Sequence, residues 1–183
     1  MRRLIDILAS LIGLTMGAPV LLLLVVIGWF DTRSPLFCQQ RVGRHQRPFT
    51  LIKFRTMRVG TAQVATHEVQ ANQITRFGGF LRRTKLDELP QLWNVLWGQM
   101  SLVGPRPCLP TQTELVAERE ARGVFAARPG ITGRAQLSDI DMSTPRLLAE
   151  TDAEMLASLT LERYLRYVVL TALGRGAGDR VRT

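Results

Sequence analysis

The stretch of sequence from Thr84 to Arg106 reads TKLDELPQLWNVLWGQMSLVGPR. It places two acidic residues, Asp87 and Glu88, side by side at the predicted first turn of a helix. The N-terminus of a helix carries unpaired backbone N–H groups and the positive end of the helix dipole, so it favours phosphate. A carboxylate pair there, with Arg82 upstream and Arg106 downstream, indicates chemistry on a phosphorylated substrate.

A purely structural interpretation of the same stretch is also open. Thr84 and Asp87 are spaced as in a capping box, and acidic residues are favoured in the first turn of any helix. The apolar residues that follow recur at i, i+3, i+4 and i+7, which predicts an amphipathic helix with one side against a core. These residues are Leu89, Leu92, Trp93 and Leu96. The helix is expected under either interpretation.

Composition limits the choice of partner. The chain has 183 residues, of which 46% are hydrophobic, and this is enough for one domain with a real core. Its formal net charge is +9, and every basic residue except Lys53 and Lys85 is arginine. The excess of positive charge indicates nucleic acid, anionic lipid or a phosphorylated small molecule as partner. Cys38 and Cys108 have neither a metal-ligand spacing nor a disulfide framework, so we expect reduced thiols.

An uncharged segment of 24 residues runs from Ile7 to Phe30. As a helix it would measure about 36 Å, which is enough to cross the core of a bilayer. A cleavable signal peptide is disfavoured because the segment is too long and no Ala-x-Ala-like site follows it. A single transmembrane span and a re-entrant helix, which kinks and returns to the same side, both remain open.

Two features of this segment favour the re-entrant form. Pro19, preceded by Ala18, lies in its middle, where proline removes a backbone hydrogen bond and kinks a helix. Both flanks are positively charged, since Arg3 lies before the segment and residues 31–60 carry seven basic side chains against one acid. Positive residues prefer the cytoplasmic side of a membrane. We therefore expect Arg3 and Arg33 on the same, cytoplasmic side.

The next segment predicts a β-hairpin. Its β-rich strands are Phe37–Val42 and Phe49–Met57, joined by a turn at 43–47. Basic and apolar residues alternate in the second strand, so Lys53 and Arg55 share one face. That face either binds substrate or is simply solvated. The polar stretch at 60–74 is expected to be a surface loop.

Two rigid turns follow the acidic pair. Gly104-Pro105-Arg106-Pro107 fixes the direction of Arg106, and Arg128-Pro129-Gly130-Ile131-Thr132-Gly133 combines an arginine with glycines that let a backbone approach an anion. The remaining segments predict a charged surface helix at 114–123 and a basic amphipathic region at 147–173. The fold class is therefore α+β and mostly helical, with an N-terminal re-entrant membrane helix-break-helix, a small β-hairpin and surrounding amphipathic helices.

Taken in order, these segments resemble one known family. The apolar segment with its central proline is followed by KFRTM from Lys53, RRTKLDELPQLWNVL from Arg82, MSLVGPRP from Met100 and RPGITG from Arg128. From about Arg3 to Leu173, the chain resembles the bacterial sugar transferase family of monotopic phosphoglycosyl transferases.

The resemblance implies an activity. Such enzymes transfer a phospho-sugar from a UDP-sugar to undecaprenyl phosphate, giving undecaprenyl-diphosphate-sugar and UMP, at the cytoplasmic face of the bacterial inner membrane. The reaction needs Mg²⁺, passes through a covalent aspartyl phospho-sugar intermediate and initiates a surface glycan, whether O-antigen, capsule, exopolysaccharide or glycoprotein. The expected partners are the UDP-sugar, undecaprenyl phosphate and the inner membrane, without nucleic acid. A homodimer is left open, and the motifs identify no particular sugar.

The resemblance also implies roles for particular residues. Asp87 matches the nucleophile and a contact of Mg²⁺, and Glu88 matches its acidic partner. The candidates for binding phosphate or substrate are Arg82, Arg106, Lys53, Arg55, Arg128, Gly130 and Thr132. The implied organisation is a re-entrant membrane anchor at 1–32 with its kink at Ala18 and Pro19, a catalytic core at 33–174 and a basic tail at 175–183.

The chain departs from the family pattern at two points. Ala18-Pro19 stands where serine-proline is common, so a hydroxyl that could bond the broken helix is missing. Arg134 stands where tryptophan commonly follows Ile-Thr-Gly. The family also contains larger members with several spans, but the single apolar segment does not predict a polytopic transferase.

A hypothesis from another class is a membrane-anchored, non-catalytic protein whose basic face binds anionic lipid or nucleic acid. It gives the Asp87-Glu88 pair no role. Two acids at the centre of such a face would weaken binding to a phosphate backbone. The sequence also offers no aromatic platform on which bases could stack.

Overall fold

The computed structural model describes residues 1–61 and 71–176. Most of the loop predicted at 60–74 and most of the basic tail predicted at 175–183 lie outside the described residues. The helices are α1 (Arg2–Thr32), α2 (Arg76–Thr84), α3 (Gln91–Leu96), α4 (Thr113–Ala121), α5 (Arg134–Leu137), α6 (Pro145–Ala157) and α7 (Leu161–Ala172). The strands are β1 (Leu36–Val42), β2 (Pro48–Phe54), β3 (Ser101–Val103) and β4 (Gly130–Thr132). The mostly helical α+β class is confirmed.

The first helix, α1, packs on the rest of the protein near both of its ends. Its buried residues form one group toward the N-terminus and a second toward the C-terminus. They are Asp6, Ser10 and Leu14, and then Leu24 and Gly28. Residues 15–20, between the groups, are exposed or half-buried. Pro19 lies inside α1 without dividing it into two helices. The long apolar helix is confirmed, while its re-entrant course stays a prediction.

Hydrogen bonds fix both ends of α1 to the same globular part. Arg3 donates to the backbone carbonyls of Val95 at 2.6 Å and Leu96 at 2.9 Å, near the C-terminus of α3. A cation is favourable at that end of a helix. At the opposite end of α1, Thr75 donates its hydroxyl hydrogen to Asp31 at 2.7 Å. The two ends therefore cannot separate without breaking these bonds.

A buried carboxylate strengthens the N-terminal attachment. Asp6 accepts hydrogen bonds from the Ser101 hydroxyl at 3.0 Å, from the Leu102 backbone N–H at 2.9 Å and from the Tyr164 hydroxyl. Burial, together with the bond to Asp6, raises the pKa of Tyr164 well above its ordinary value, so the phenol stays a donor. This network joins α1 to β3 and α7.

The predicted hairpin is confirmed, except that its second strand ends at Phe54 and not at Met57. Strands β1 and β2 pair antiparallel, with Leu36 opposite Phe54 and Val42 opposite Pro48. The turn between them occupies residues 43–47, where His45 and Gln46 have positive φ angles of 53° and 56°. Alternation along β2 buries Phe49 and Leu51 in the main core, where they meet side chains from α3, β3, α6 and α7.

A second, two-stranded sheet was not predicted. Strands β3 and β4 pair parallel, with Ser101 opposite Gly130 and Val103 opposite Thr132. A β-carbon on Gly130 would lie 2.0 Å from the backbone nitrogen of Gly104, so only glycine allows this approach. The sheet brings the Gly104-Pro105-Arg106-Pro107 turn against the second predicted turn.

The prediction for the start of the central helix is wrong. Thr84 ends α2, and its hydroxyl donates back to the carbonyls of Phe80 and Leu81 instead of capping a new helix. Lys85 then takes a left-handed conformation with φ of 57°. A 3₁₀ turn, Leu86–Glu88, follows it, and α3 begins only at Gln91. The acidic pair therefore precedes the helix and does not form its first turn.

The predicted core-facing stripe of this helix is confirmed only in part, since Leu92 packs against the main core but the most buried side of α3 lies elsewhere. Trp93 is 46% exposed, whereas Gln91, Asn94 and Val95 form the buried side of α3. The cause is Asn94, whose side chain accepts from the Ile52 backbone N–H at 3.1 Å and donates to the Thr50 carbonyl at 2.7 Å. These bonds give hydrogen-bond partners to two backbone groups of β2, and they place the polar side of α3 toward the interior.

Candidate functional site

The acidic pair lies in the 3₁₀ turn between α2 and α3, against β2. Both side chains are nearly enclosed, with Asp87 3% and Glu88 8% exposed. Since α3 has only six residues and starts after the pair, the acidic pair does not lie at a helix N-terminus as predicted. A phosphate at this site would instead depend on the cationic side chains nearby.

Arg106 reaches the acidic pair. Its Nη2 lies 2.8 Å from Glu88 Oε1, in a partly buried ion pair. A guanidinium fork offers further donors, so one group can neutralise a carboxylate and still contact a phosphate. The structure thus brings together two of the predicted site residues that are 18 positions apart in sequence.

The backbone that carries Arg106 is held at four consecutive carbonyls by donors from three different elements. The donors come from β4, α4, the β1 side chains and the β1 backbone. The Pro105 carbonyl accepts from the Gly130 N–H at 2.9 Å, and the Arg106 carbonyl accepts from Arg119 Nη1 at 2.7 Å. The Pro107 carbonyl accepts from Arg41 Nη1 at 3.0 Å, and the Cys108 carbonyl accepts from the Val42 N–H at 3.0 Å. This segment is therefore a rigid platform for the Arg106 side chain.

Arg119 is itself locked in the interior. It is 1% exposed and pairs with the fully buried Asp152 through Nη2 at 2.7 Å and Nε at 3.1 Å. Burial raises the pKa of Asp152, and the charge of Arg119 opposes that rise. The helix predicted at 114–123 as a charged surface helix is present as α4, but Arg119 on its inner side is a core residue.

Arg82 is positioned from the other side of the turn. Its Nε donates to the Thr56 hydroxyl at 2.9 Å. The close packing of α2 on this segment depends on Gly78, because a β-carbon there would lie 2.0 Å from the Thr56 carbonyl oxygen. The KFRTM block and the RRTKLDE block are therefore in direct contact, as a common site requires.

The remaining basic candidates make contacts that hold local structure. Lys53 Nζ and the Arg55 guanidinium lie 5.7 Å and 5.3 Å from the centre of the Phe37 ring. Arg55 Nε also donates to the Ser34 carbonyl at 2.9 Å. Arg128 Nε donates to the Gly98 carbonyl at 2.8 Å, at the end of α3. Their predicted contact with substrate stays a prediction.

A cleft of about 310 Å³ opens beside the acidic pair. Glu88 is the member of the pair that lines it, and Thr132 lines it as well, with its hydroxyl 2.5 Å from that of Thr171. Most other lining side chains are aliphatic and come from the 3₁₀ turn, α3, β3, β4 and α7. The principal ones are Leu86, Leu89, Leu92, Leu102, Ile131 and Val168.

The acidic pair is suited to Mg²⁺ bound jointly with a diphosphate. Within residues 1–61 and 71–176, no group of three or more His, Cys, Asp and Glu side chains could hold a metal ion by itself. Magnesium in phosphoryl-transfer sites takes one or two carboxylates from the protein and completes its shell with phosphate oxygens and water. Asp87 and Glu88 meet that requirement.

Some functional residues were not predicted from sequence. Arg119, Asp152 and Arg41 support the Arg106 platform, but an arginine within a charged helix carries no sequence signal of burial. Arg134, one of the departures from the expected pattern, is exposed and pairs with Glu154 at 2.9 Å on α6. It lies on the surface of the α5–α6 region.

Comparisons with known proteins show the family to which the chain is similar. The model of a family described as bacterial sugar transferase matches residues 1–174. Among curated relatives, the chain is 37% identical over 155 residues to the UDP-galactose-lipid carrier transferase of Erwinia amylovora, which covers 75% of this chain and 32% of that protein. It is 42% identical over 147 residues to the undecaprenyl-phosphate glucose phosphotransferase of Komagataeibacter xylinus, covering 75% and 27%.

A third relative matches across most of the chain. The UDP-glucose:undecaprenyl-phosphate glucose-1-phosphate transferase of Caulobacter vibrioides is 35% identical over 182 residues, covering 93% of this chain and 67% of that protein. The chain thus spans between about a quarter and two thirds of the length of these curated relatives.

Proposed function

The chain belongs to the bacterial sugar transferase family, and we propose from this that it transfers a sugar phosphate from a UDP-sugar to undecaprenyl phosphate. The products are undecaprenyl-diphosphate-sugar and UMP, and the reaction would begin the assembly of a surface glycan. The relatives' names support both substrates, since they combine UDP-sugars with a lipid carrier or undecaprenyl phosphate. The observation that carries the proposal is the enclosed Asp87-Glu88 pair with Arg106 fixed 2.8 Å from Glu88.

The transfer divides into two displacements at one phosphorus. In the first, a carboxylate oxygen of Asp87 bonds to the phosphorus that bears the sugar, and the bond from that phosphorus to the oxygen of UMP breaks. In the second, a phosphate oxygen of the lipid bonds to the same phosphorus, and the Asp87 carboxylate leaves unchanged. Covalent catalysis of this kind lets two substrates of different solubility react in turn.

The surrounding residues serve this chemistry electrostatically. Arg106 and Arg82 would offset the negative charge that gathers when phosphates meet a carboxylate. Asp87 and Glu88 are the residues that would hold Mg²⁺, and a bound Mg²⁺ would supply further neutralisation of that charge. The low exposure of Asp87 would limit access of water to an acyl-phosphate, which would otherwise hydrolyse.

We also propose that α1 enters the membrane and returns to the cytoplasmic face. Support comes from the hydrogen bonds of Arg3 to Val95 and of Thr75 to Asp31, which attach both ends to one globular part. A helix that crossed a hydrocarbon core of about 30 Å would carry one end away from that part. Proline at position 19, among exposed residues, supplies a point at which the helix can bend.

The non-catalytic alternative has less support. It requires no acidic pair and no rigid support for Arg106, yet both are present, and the family is one of enzymes. Binding of anionic lipid by basic residues remains compatible with the enzyme and does not distinguish the two hypotheses.

The test of the proposed function is turnover with a panel of donors. Purified protein in nanodiscs would receive Mg²⁺, undecaprenyl phosphate and, in separate reactions, different UDP-sugars. We expect one donor to give UMP and a lipid-linked sugar in equal amounts. The Caulobacter relative, treated in the same way with UDP-glucose, is the positive control. If the relative turns over while this chain releases no UMP from any donor, the proposed function is contradicted.

A further inference from the structure

The cleft beside Glu88 has walls that do not suit a nucleotide sugar. Its sides are formed by Leu89 and Leu92 on one side and by Val168 and Ala172 on the other. A UDP-sugar is rich in hydroxyl and phosphate groups, which lose hydrogen bonds to water against aliphatic side chains. The volume of about 310 Å³ is nevertheless in the range of small-molecule sites. An apolar ligand is therefore the better match for these walls.

The cleft lies between helices that expose apolar residues to the outside. Beside Leu92, α3 exposes Trp93, and α7 exposes Leu165, which lies three residues before Val168 on the same face of that helix. The first helix, α1, passes next to the same wall, because a β-carbon on Gly13 would lie 3.0 Å from Leu92 Cδ1. Exposed or cleft-lining apolar residues of α3 and α7 therefore lie close to the apolar helix α1.

The lining of the cleft is not wholly apolar, and through Glu88 it adjoins the proposed site of chemistry. The polar lining residues include Glu88 and Lys85 and the hydroxyl groups of Thr132 and Thr171. The ligand that fits such a cleft has an apolar chain and an anionic head that must come close to the acidic pair and its cations. A lipid phosphate has that chemistry, and a free nucleotide does not.

We propose that the cleft binds the isoprenoid segment next to the phosphate of the lipid acceptor. This inference rests on the proposed function, because it assigns a site to one of the two proposed substrates. The isoprenoid units next to the phosphate lie between α3 and α7, and the rest of the chain leaves along the exposed apolar residues toward α1. The phosphate faces Glu88 and Lys85, within reach of Arg106 on its platform.

Two adjacent valines provide a matched test. Val168 lines the cleft, whereas its neighbour Val169 is exposed on the same helix. In Val168→Trp, we expect the apparent KM for undecaprenyl phosphate to rise by about tenfold or more, with the KM for the UDP-sugar unchanged, because filling the cleft acts on one substrate only. Val169→Trp should leave both KM values unchanged. A rise in the donor KM alone would overturn the assignment.

A second variant guards against a failure of Val168→Trp to fold. Ala172 lines the cleft from an exposed position, so Ala172→Trp can fill the space with little disturbance of the core. Thermal unfolding should show both proteins folded. We expect the same selective rise in the acceptor KM, and an unchanged acceptor KM in a folded Ala172→Trp would contradict the proposal.

A binding experiment separates this inference from the proposed function, since it needs no donor and no turnover. A polyprenyl phosphate with a diazirine close to the phosphate would be photolysed with the wild-type protein in nanodiscs. We expect labelling of peptides that contain residues 86–92 and 168–172, reduced by unlabelled undecaprenyl phosphate and not by ordinary phospholipid. Labelling confined to α1, or equal labelling by a diazirine phospholipid, would overturn the inference even in an active enzyme. An inactive protein that shows the expected labelling would contradict the proposed function alone.

Discussion

At the scale of single residues, the acidic pair divides into two roles. Asp87 is the more buried of the two, whereas Glu88 forms an ion pair with Arg106 and lines the cleft. Glu88 is paired with Arg106, and the covalent step is proposed for Asp87 because that residue matches the nucleophile of the family pattern. The side chains of adjacent residues in a 3₁₀ turn diverge by about 120°, so neither can replace the other without backbone movement.

Asp87→Asn should therefore abolish covalent capture of the sugar phosphate. Incubation of the wild-type protein with Mg²⁺ and its UDP-sugar, without lipid, should add a phospho-sugar mass to the peptide containing Asp87. Undecaprenyl phosphate should then remove it. Mass spectrometry of Asp87→Asn should show no adduct, and Glu162→Gln, an exposed acid on α7, should behave as the wild type. An enzyme that turns over with Asp87 unmodified throughout would exclude the two-step mechanism.

Arg106 and Arg119 should act as one unit. Arg106→Lys keeps the charge but loses the fork, and we expect a loss of about 100-fold in kcat/KM. Arg119→Lys should reduce activity because the Arg106 carbonyl loses its fixed donor. If Arg119 works through Arg106, the double variant should be about as active as Arg106→Lys alone. Losses that multiply in the double variant would show that the two arginines act independently.

The Arg119–Asp152 pair should dominate stability in its region. Asp152→Asn would leave the Arg119 charge buried without a counter-ion, at a cost of about 3–5 kcal/mol in the free energy of unfolding. Denaturant unfolding would measure it. The exposed pair Arg134–Glu154 offers a control, since Glu154→Gln should cost less than about 1 kcal/mol. Equal effects of the two substitutions would mean that the buried pair has no special structural role.

At the scale of elements, the attachment of α1 at both ends has a topological consequence. Cysteines placed at positions 4 and 33, in a Cys38→Ser background, should both react with an impermeant maleimide in inverted vesicles and be protected in intact cells. Leu4 and Arg33 are both exposed, so labelling reports on the side of the membrane. Reaction of the two positions from opposite sides would establish a plain span. Pro19→Leu, which removes the bend, should shift the protein toward that span.

Local patterns predicted some elements well and others poorly. The β1–β2 hairpin follows from alternation around a short turn, so both strands could be located from sequence. Strands β3 and β4 have three residues each and are paired across a long separation, which leaves no local signal. The orientation of α3 was only partly predicted, because the hydrogen bonds of Asn94 to the backbone of β2 are tertiary contacts with no local sequence signal. Asp87, Glu88 and Arg106 were found from spacing and resemblance, whereas Arg119 and Asp152 depend on tertiary packing.

At the scale of the whole molecule, exposed apolar residues and basic charge occur together. Large apolar side chains are exposed on α1, α2, α3 and α7, while the formal net charge is +9. We expect membrane attachment to depend on insertion of these apolar side chains into the bilayer and not on attraction between basic residues and anionic lipid. Washing membranes with about 1 M NaCl, where the Debye length falls to about 3 Å, should leave the protein in the pellet, and detergent should release it. Release by salt alone would show that charge holds it there.

The Asp6 network makes the N-terminal helix part of the folding unit. Cutting the chain at residue 33 would remove the acceptor for the Leu102 backbone N–H and for the Tyr164 hydroxyl, and it would uncover Phe54 and Leu81, which pack with Leu24. The anchor is therefore not an exchangeable module. A water-soluble fragment, or a chimera with the anchor of another protein, would have to rebuild these contacts, so sequence change in the anchor is coupled to sequence change in the catalytic part.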